Sequence, residues 1–280
     1  MNVAVVQICS GEDAWANLAQ VQAFVLKATD QGADLVCFPE NILFRGRKSK
    51  LQSEFVLELD AAGKIAEISE FSKAVVSAAR EWKISVSLGS VLEKNLAAQR
   101  PFNSQWILHP QKPIVSYKKI HLFHFDSSTA PYRESDSVSA GTEIVSSSLK
   151  DFNLGLSICF DLRFPELYRR LVLEKNANLL LVPSAFTRET GEAHWHTLLR
   201  ARAIENQSYV VAAAQWGSHL NEKGDSLFCY GHALACDPWG KVLAEGAVEG
   251  DELLMVEVSL KEIERRRAQL PALNATKLKC

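Results

Sequence analysis

Short apolar runs rich in β-branched residues recur along the chain, separated by longer stretches in which apolar positions return every three or four residues. The short runs predict strands over 3–8, 35–38, 84–91, 105–109, 154–158, 179–182, 209–214, 231–236 and 253–258, with a strand-like piece at 113–116. The longer stretches 13–29, 64–82, 165–175 and 192–206 have helical composition. In the last, Trp195, Leu199 and Ala203 recur at four-residue spacing and share one face. This alternation predicts an α/β fold. With no Ser/Gly-rich linker to divide the chain, a single domain is expected.

A weak internal echo refines that expectation. Strand 3–8, a helix, then Ala33-Asp34-Leu35-Val36-Cys37-Phe38-Pro39 is matched later by strand 154–158, a helix, then Ala177-Asn178-Leu179-Leu180-Leu181-Val182-Pro183. Two such units predict two sheets packed face to face with helices outside, the alternative being one doubly wound sheet. No G-x-G-x-x-G opening follows the early strands, which argues against a dinucleotide site.

Charge and composition narrow the function classes. A formal net charge of -2 argues against phosphate-backbone binding, and 47% hydrophobic residues argue against disorder. The N-terminus lacks the basic region of a secretory signal, and no run of about eighteen apolar residues exists to span a membrane. Cysteines 9, 37, 159, 229, 236 and 280 show no paired metal spacing. Free thiols in a reducing, cytoplasmic setting are therefore expected. His194 and His196 would diverge by about 200° on a helix, a poor chelate. No cofactor and no metal is expected.

Three side chains carry candidate chemistry. Cys159 ends an apolar strand and is followed by Phe160-Asp161-Leu162-Arg163-Phe164-Pro165-Glu166, with Pro165 suited to a helix's first turn. A thiol at a strand-to-helix turn meets converging amide N–H groups, which can lower its pKa and hold an oxyanion. Glu40 closes Cys37-Phe38-Pro39-Glu40, where apolar walls would raise a carboxylate's pKa toward neutrality and suit it to proton transfer. Lys119, in Tyr117-Lys118-Lys119-Ile120-His121-Leu122, could stabilise negative charge on a tetrahedral intermediate. Each also has a plainer reading: a core cysteine, a capping glutamate, a solvated strand-end lysine. His121, His124, His194 or His232 could instead serve Cys159 as base in a Cys-His hydrolase.

Together, in this order, Phe38-Pro39-Glu40, the Tyr117–Leu122 segment and Ser157-Ile158-Cys159-Phe160-Asp161-Leu162-Arg163-Phe164-Pro165-Glu166 resemble the catalytic motifs of the nitrilase (carbon–nitrogen hydrolase) superfamily. The resemblance implies a four-layer αββα sandwich and a Glu40-Lys119-Cys159 triad. It also implies a supporting Glu134, an oxyanion contact from the Phe160 N–H, and protomers paired through outer helices. The hydrolase domain is expected over 1–262, followed by a tail, 263–280, at a possible dimer interface; Cys280 has no assigned role.

The block from Pro183 to Gly240, including Arg200-Ala201-Arg202-Ala203-Ile204-Glu205-Asn206 and Tyr230-Gly231-His232, resembles the branch of that superfamily containing deaminated glutathione amidase. The implied reaction converts a small carboxylate-bearing amide to acid and ammonia through a thioester. An ω-amidase acting on α-ketoglutaramate is the nearer alternative, and a thioester-forming acyltransferase the more remote one. Arg163 is a candidate for the substrate carboxylate, against a structural ion pair with Asp161 or Glu166, and Arg188 is a weaker candidate. The expected partners are a small-molecule amide and a second copy of the chain, with no nucleic acid and no membrane.

Overall fold

Alternation in the first strand sorts side chains into two cores. Val3 and Val5 enter one hydrophobic cluster, while Ala4, Val6 and Ile8 enter the other. A period of two on a strand buried on both faces requires a layer above and a layer below. The computed structural model describes residues 1–110, 112–125, 132–221, 223–275 and 277 and shows both layers.

Strands β1 (Asn2–Ile8), β2 (Leu35–Cys37), β3 (Ser85–Glu93), β4 (Phe102–Leu108) and β5 (Val115–Lys118) lie in chain order in the first sheet. A short ribbon follows, β6 (His124–Phe125) with β7 (Tyr132–Arg133). The second sheet takes β8 (Ser146–Leu149), β9 (Phe152–Leu156), β10 (Leu179–Leu181) and β11 (Tyr209–Ala212). The chain then returns to the first sheet for β12 (Ala214–Leu220) and β13 (Ser226–Tyr230), and to the second for β14 (Leu234–Cys236) and β15 (Val242–Glu245). It ends in the first with β16 (Glu252–Glu257), antiparallel to β1.

Helices α1 (Ala14–Asp30) and α2 (Glu70–Glu81) cover the first sheet, where Leu18, Val21 and Val25 meet Phe71, Val75 and the β1 residues. Helices α3 (Pro165–Lys175) and α4 (Arg188–Asn206) cover the second through Leu167, Tyr168, Leu171, Trp195, Leu199 and Ala203. Between the sheets, Val3, Val5, Leu35 and Tyr117 share a cluster with Leu154, Leu156 and Leu179. The fold is a single-domain αββα sandwich. The echo is real in three dimensions, since β1-α1-β2 and β9-α3-β10 are both parallel strand–helix–strand units.

Local chemistry sets the helix ends. Asp13 accepts from the Trp15 and Ala16 amides at 3.0 Å to start α1, and Ser69 with Ser72 forms a reciprocal cap on α2. Residues 64–69, expected from the sequence to be helical, do not join α2. There Asp60 binds the Ala62 and Lys64 amides and holds a turn instead. The apolar run 209–214 is likewise not one strand. It crosses from one sheet to the other at Ala213, whose carbonyl accepts from the Ser184 amide at 2.9 Å.

Helix α5 (Leu260–Gln269) crosses the expected 262/263 boundary, with Ile263 buried and the Gln207 amide donating to the Leu270 carbonyl at 2.6 Å. Cys280 lies outside the described residues. Among the described residues no helix is long and apolar enough to cross a membrane.

Candidate active site

Glu40 sits just past β2, at the edge of the first sheet. Gly89 on β3 lets the Phe38–Pro39 backbone approach closely, because a Cβ there would stand 1.8 Å from the Phe38 carbonyl oxygen. The Glu40 carbonyl accepts from Gln215 Nε2 at 2.9 Å, so the backbone is held on both sides. Its side chain is turned toward Lys119, and the residue is only 4% exposed.

Lys119 immediately follows β5 and is 1% exposed. Its amide donates to the Asn103 carbonyl, and its own carbonyl accepts from Gly141. The ammonium donates to Glu40 Oε1 at 2.7 Å and to Glu134 Oε2 at 2.8 Å and Oε1 at 3.1 Å. Glu134, in a 3₁₀ turn after β7, also accepts from the Phe123 amide at 2.7 Å. Asn103 on β4 completes the cluster by donating to both carboxylates, at 3.0 Å to Glu40 and 2.9 Å to Glu134. A buried ion cluster of this kind persists only when its remaining lone pairs are satisfied.

Cys159 opens the 3₁₀ turn Cys159–Arg163 with φ +48, a left-handed conformation costly for a residue with a side chain. The strain is held by a hydrogen bond from the Cys159 N–H to the Pro183 carbonyl at 2.9 Å and by Asp161. Asp161 is fully buried and accepts from the Ile158 amide, the Tyr117 hydroxyl, and the His121 amide and ring. The thiol so placed lies within electrostatic reach of the Glu40 carboxylate and the Ala185 N–H. The Phe160 N–H precedes the first 3₁₀ hydrogen bond, Asp161 to Ile158, and has no protein acceptor among the described residues.

The electrostatics reverse two expectations drawn from the sequence. Burial raises the Cys159 pKa, and the Glu40 charge raises it further. Lys119 and the Ala185 N–H do not compensate, so the thiol lies well above its usual value. Burial alone would also raise Glu40, but the Lys119 ammonium, through its charge and hydrogen bond, brings it below the ordinary carboxylate value. Burial opposes the charge on Lys119 too, and Glu134, Glu40 and Cys159 together drive its pKa well up. The resting cluster is thus a neutral thiol against an ionised Glu40 and a protonated Lys119.

The arginines separate by environment. Arg163 pairs with neither Asp161 nor Glu166 among the described residues. Its guanidinium lies 5.6 Å from the Phe160 ring centre and 5.2 Å from that of Phe186, and its Nη1 is 3.1 Å from His194 Nδ1. It is near enough to couple electrostatically to Cys159. Arg188 lies at the surface, 3.8 Å from Glu249 and over the Phe228 ring.

Three of the four histidines weighed as bases are occupied elsewhere: His121 with Asp161, His194 with Arg163 and His232 with Glu245. Asn103, Asp161 and the Ala185 N–H were not evident in the sequence. Neither was Arg45, which donates to Cys229 Sγ at 3.1 Å and acts electrostatically on Glu40 and Cys159.

Residues 2–268 match the carbon-nitrogen hydrolase family. A Dictyostelium discoideum protein named deaminated glutathione amidase is 38% identical over 279 residues, covering 97% of this chain and 92% of that one. A protein of the same name from Synechocystis sp. (strain PCC 6803 / GT-S) is 36% identical over 277 residues, covering 96% of each. Among solved structures, the C. elegans NitFhit protein superposes with a TM-score of 0.84 at 35% identity, covering 99% of this chain and 65% of that one. Saccharomyces cerevisiae Nit3, a member of the nitrilase superfamily, gives 0.81 at 30% identity, covering 97% and 94%.

Proposed function

The chain belongs to the carbon-nitrogen hydrolase family, whose chemistry is hydrolysis of carbon–nitrogen bonds other than peptide bonds, and on that premise we propose that it is a deaminated glutathione amidase working through Cys159. The observation that carries the mechanism is one buried thiol in electrostatic reach of a carboxylate that is itself 2.7 Å from a buried ammonium.

Glu40 takes the thiol proton as Cys159 Sγ bonds to the amide carbon. The oxyanion that forms is met by Lys119 and the unpartnered Phe160 N–H. The carbon–nitrogen bond then breaks, the amine leaving with the proton held by Glu40, and a thioester remains. Water attacks that thioester while Glu40 accepts its proton, and the acid leaves as the thiol is restored. Glu134 positions Lys119 and shares its charge.

The substrate reading rests on the similarity to the named amidases and on Arg163, a cation with no carboxylate partner among the described residues and coupled electrostatically to Cys159. Its planar fork suits the substrate carboxylate. Deaminated glutathione carries cysteinylglycine on its scissile nitrogen, so that amine is the leaving group. Ammonia applies to α-ketoglutaramate, and 2-oxoglutarate is the acid product of both. Measuring 2-oxoglutarate from the two amides side by side, with wild type and Cys159→Ala, tests the reading. Higher kcat/KM on deaminated glutathione, abolished in the variant, supports it. A clear preference for α-ketoglutaramate assigns the ω-amidase reaction instead.

A cytoplasmic setting fits a thiol that must stay reduced, and the five described cysteines are all free. Pairing of two copies through α3 and α4 fits the exposure of Leu173 (45%) and Ile204 (49%) on those helices. The mass in sedimentation equilibrium, with Ile204→Glu as the disrupting variant, tests that pairing.

A further inference from the structure

Away from the catalytic cluster, three side chains from separate segments converge beside α4. His196 projects from the middle of that helix, His232 from the turn between β13 and β14, and Glu245 from the end of β15. Glu245 Oε1 lies 2.9 Å from His196 Nε2 and 2.8 Å from His232 Nδ1. One ligand atom from each residue falls within 4.8 Å of the other two. We propose that His196, His232 and Glu245 form a binding site for a divalent transition-metal ion of the zinc class.

The donor set is two imidazole nitrogens and one carboxylate, with a face left open to water. That is the combination that holds zinc with three protein ligands and a fourth, exchangeable position. Imidazole nitrogen selects zinc, cobalt, nickel or copper over magnesium and calcium, which take oxygen shells. Tetrahedral ligation at about 2.0–2.1 Å separates ligand atoms by roughly 3.3 Å, so Glu245 Oε1 needs to draw back from each imidazole nitrogen by only a few tenths of an ångström. The three side chains are free to shift. Their side-chain exposures are 36%, 18% and 37%, which also gives an ion a path in.

The backbone beneath is held in place. His232 adopts φ +55, a left-handed conformation that carries strain in a non-glycine residue, and its carbonyl accepts from Trp195 Nε1 at 2.8 Å. Trp195 is the neighbour of His196 on α4, so one fixed hydrogen bond sets the spacing between the two histidine-bearing segments. The Gly246 amide donates to the Ala233 carbonyl at 2.7 Å, which ties the Glu245 strand to the His232 turn. The Tyr230 ring, 4.5 Å from that of His232, walls one side. An ion here would clip α4 to β14 and β15 without entering the hydrolytic chemistry.

Equilibrium dialysis of the metal-stripped, full-length Cys159→Ala protein against zinc tests this, since that background removes the catalytic thiol as a competing ligand. One ion per chain is expected, with His196→Ala and Glu245→Gln each weakening binding at least about tenfold, and His194→Ala leaving it unchanged. Zinc should raise Tm in the parent and not in His196→Ala. Cobalt should bind without a thiolate charge-transfer band. Circular dichroism of each variant checks that the fold is retained. Unchanged affinity in His196→Ala, a thiolate band, or no saturation below about 1 mM zinc overturns the site.

Discussion

The hydroxyl of Tyr117 donates to Asp161 Oδ2 at 2.7 Å and ties the two sheets together beneath the site. Tyr117 stands two residues before Lys119 on the first sheet, and Asp161 two residues after Cys159 beyond the second. This one bond therefore governs how the ammonium lies relative to the thiol. Removing the hydroxyl leaves a buried carboxylate oxygen with the Ile158 amide as its remaining donor. Tyr117→Phe should cost about 1.5–3 kcal/mol in denaturant unfolding. It should lower kcat roughly tenfold, short of the hundredfold attached to a full ångström of misplacement. KM should change little, because the bond lies behind the nucleophile.

Lys119 separates two carboxylates that would otherwise face each other in a buried space. Lys119→Gln should lower kcat by about a thousandfold or more, through loss of oxyanion stabilisation. It should also destabilise the fold by roughly 3–5 kcal/mol near neutral pH, since Glu40 and Glu134 lose their shared cation. The two effects separate in Lys119→Gln/Glu134→Gln. That double variant removes one of the charges and should recover much of the stability in urea unfolding while remaining inactive.

Glu40, Lys119 and Cys159 were visible in the sequence as a set, because their three motifs occur in the order of the family they resemble, although each alone had a plainer reading. The roles of Asn103 and Asp161 carry no such mark. Asn103 reaches Glu40 across 63 residues of chain, and the Tyr117 and His121 donors to Asp161 lie 44 and 40 residues away. Their partners exist only once the sheets have formed. The same distance reversed the charge argument at Glu40. Apolar flanks pointed to a raised pKa, but Lys119, 79 residues on, sets it lower. The sandwich itself was legible from the repeated strand–helix–strand unit. The crossing at Ala213 was not, because an apolar run carries no sign of which sheet each half joins.

The pH profile follows from these directions. In the proposed mechanism, turnover requires Glu40 ionised to accept the thiol proton and Cys159 protonated to supply it. Glu40 is held below the ordinary 4.5 and Cys159 above the ordinary 9.0. The kcat/KM profile should therefore be flat between those values, with its acid limb below the first and its alkaline limb above the second. Stability should follow the same window. The Glu40 contribution is complete above its unfolded value and is lost as pH falls through the lowered one. The Cys159 contribution is complete below its unfolded value and is lost as pH rises toward the raised one. Urea midpoints from acid to alkaline pH check the second statement, and initial rates the first. An acid limb near neutrality would mean that Glu40 is not the group accepting the proton.

Arg163 tests substrate recognition apart from catalysis. If its guanidinium binds the substrate carboxylate, the interaction is charge-assisted and worth about 1.5–3 kcal/mol, or roughly ten- to more than a hundredfold in KM. Arg163→Met keeps an apolar stem between Phe160 and Phe186 and removes the charge. It should raise KM for a carboxylate-bearing amide while leaving kcat within a few-fold, as loss of uniform binding requires. The same variant should leave kcat/KM unchanged for a small neutral amide. Arg163→Lys should restore only part of the loss, since an ammonium lacks the planar fork. Arg188→Ala, at the surface beside Glu249, should leave both substrates unaffected. A packing role alone for Arg163 predicts the opposite pattern, in which both amides lose equally and the loss falls on kcat.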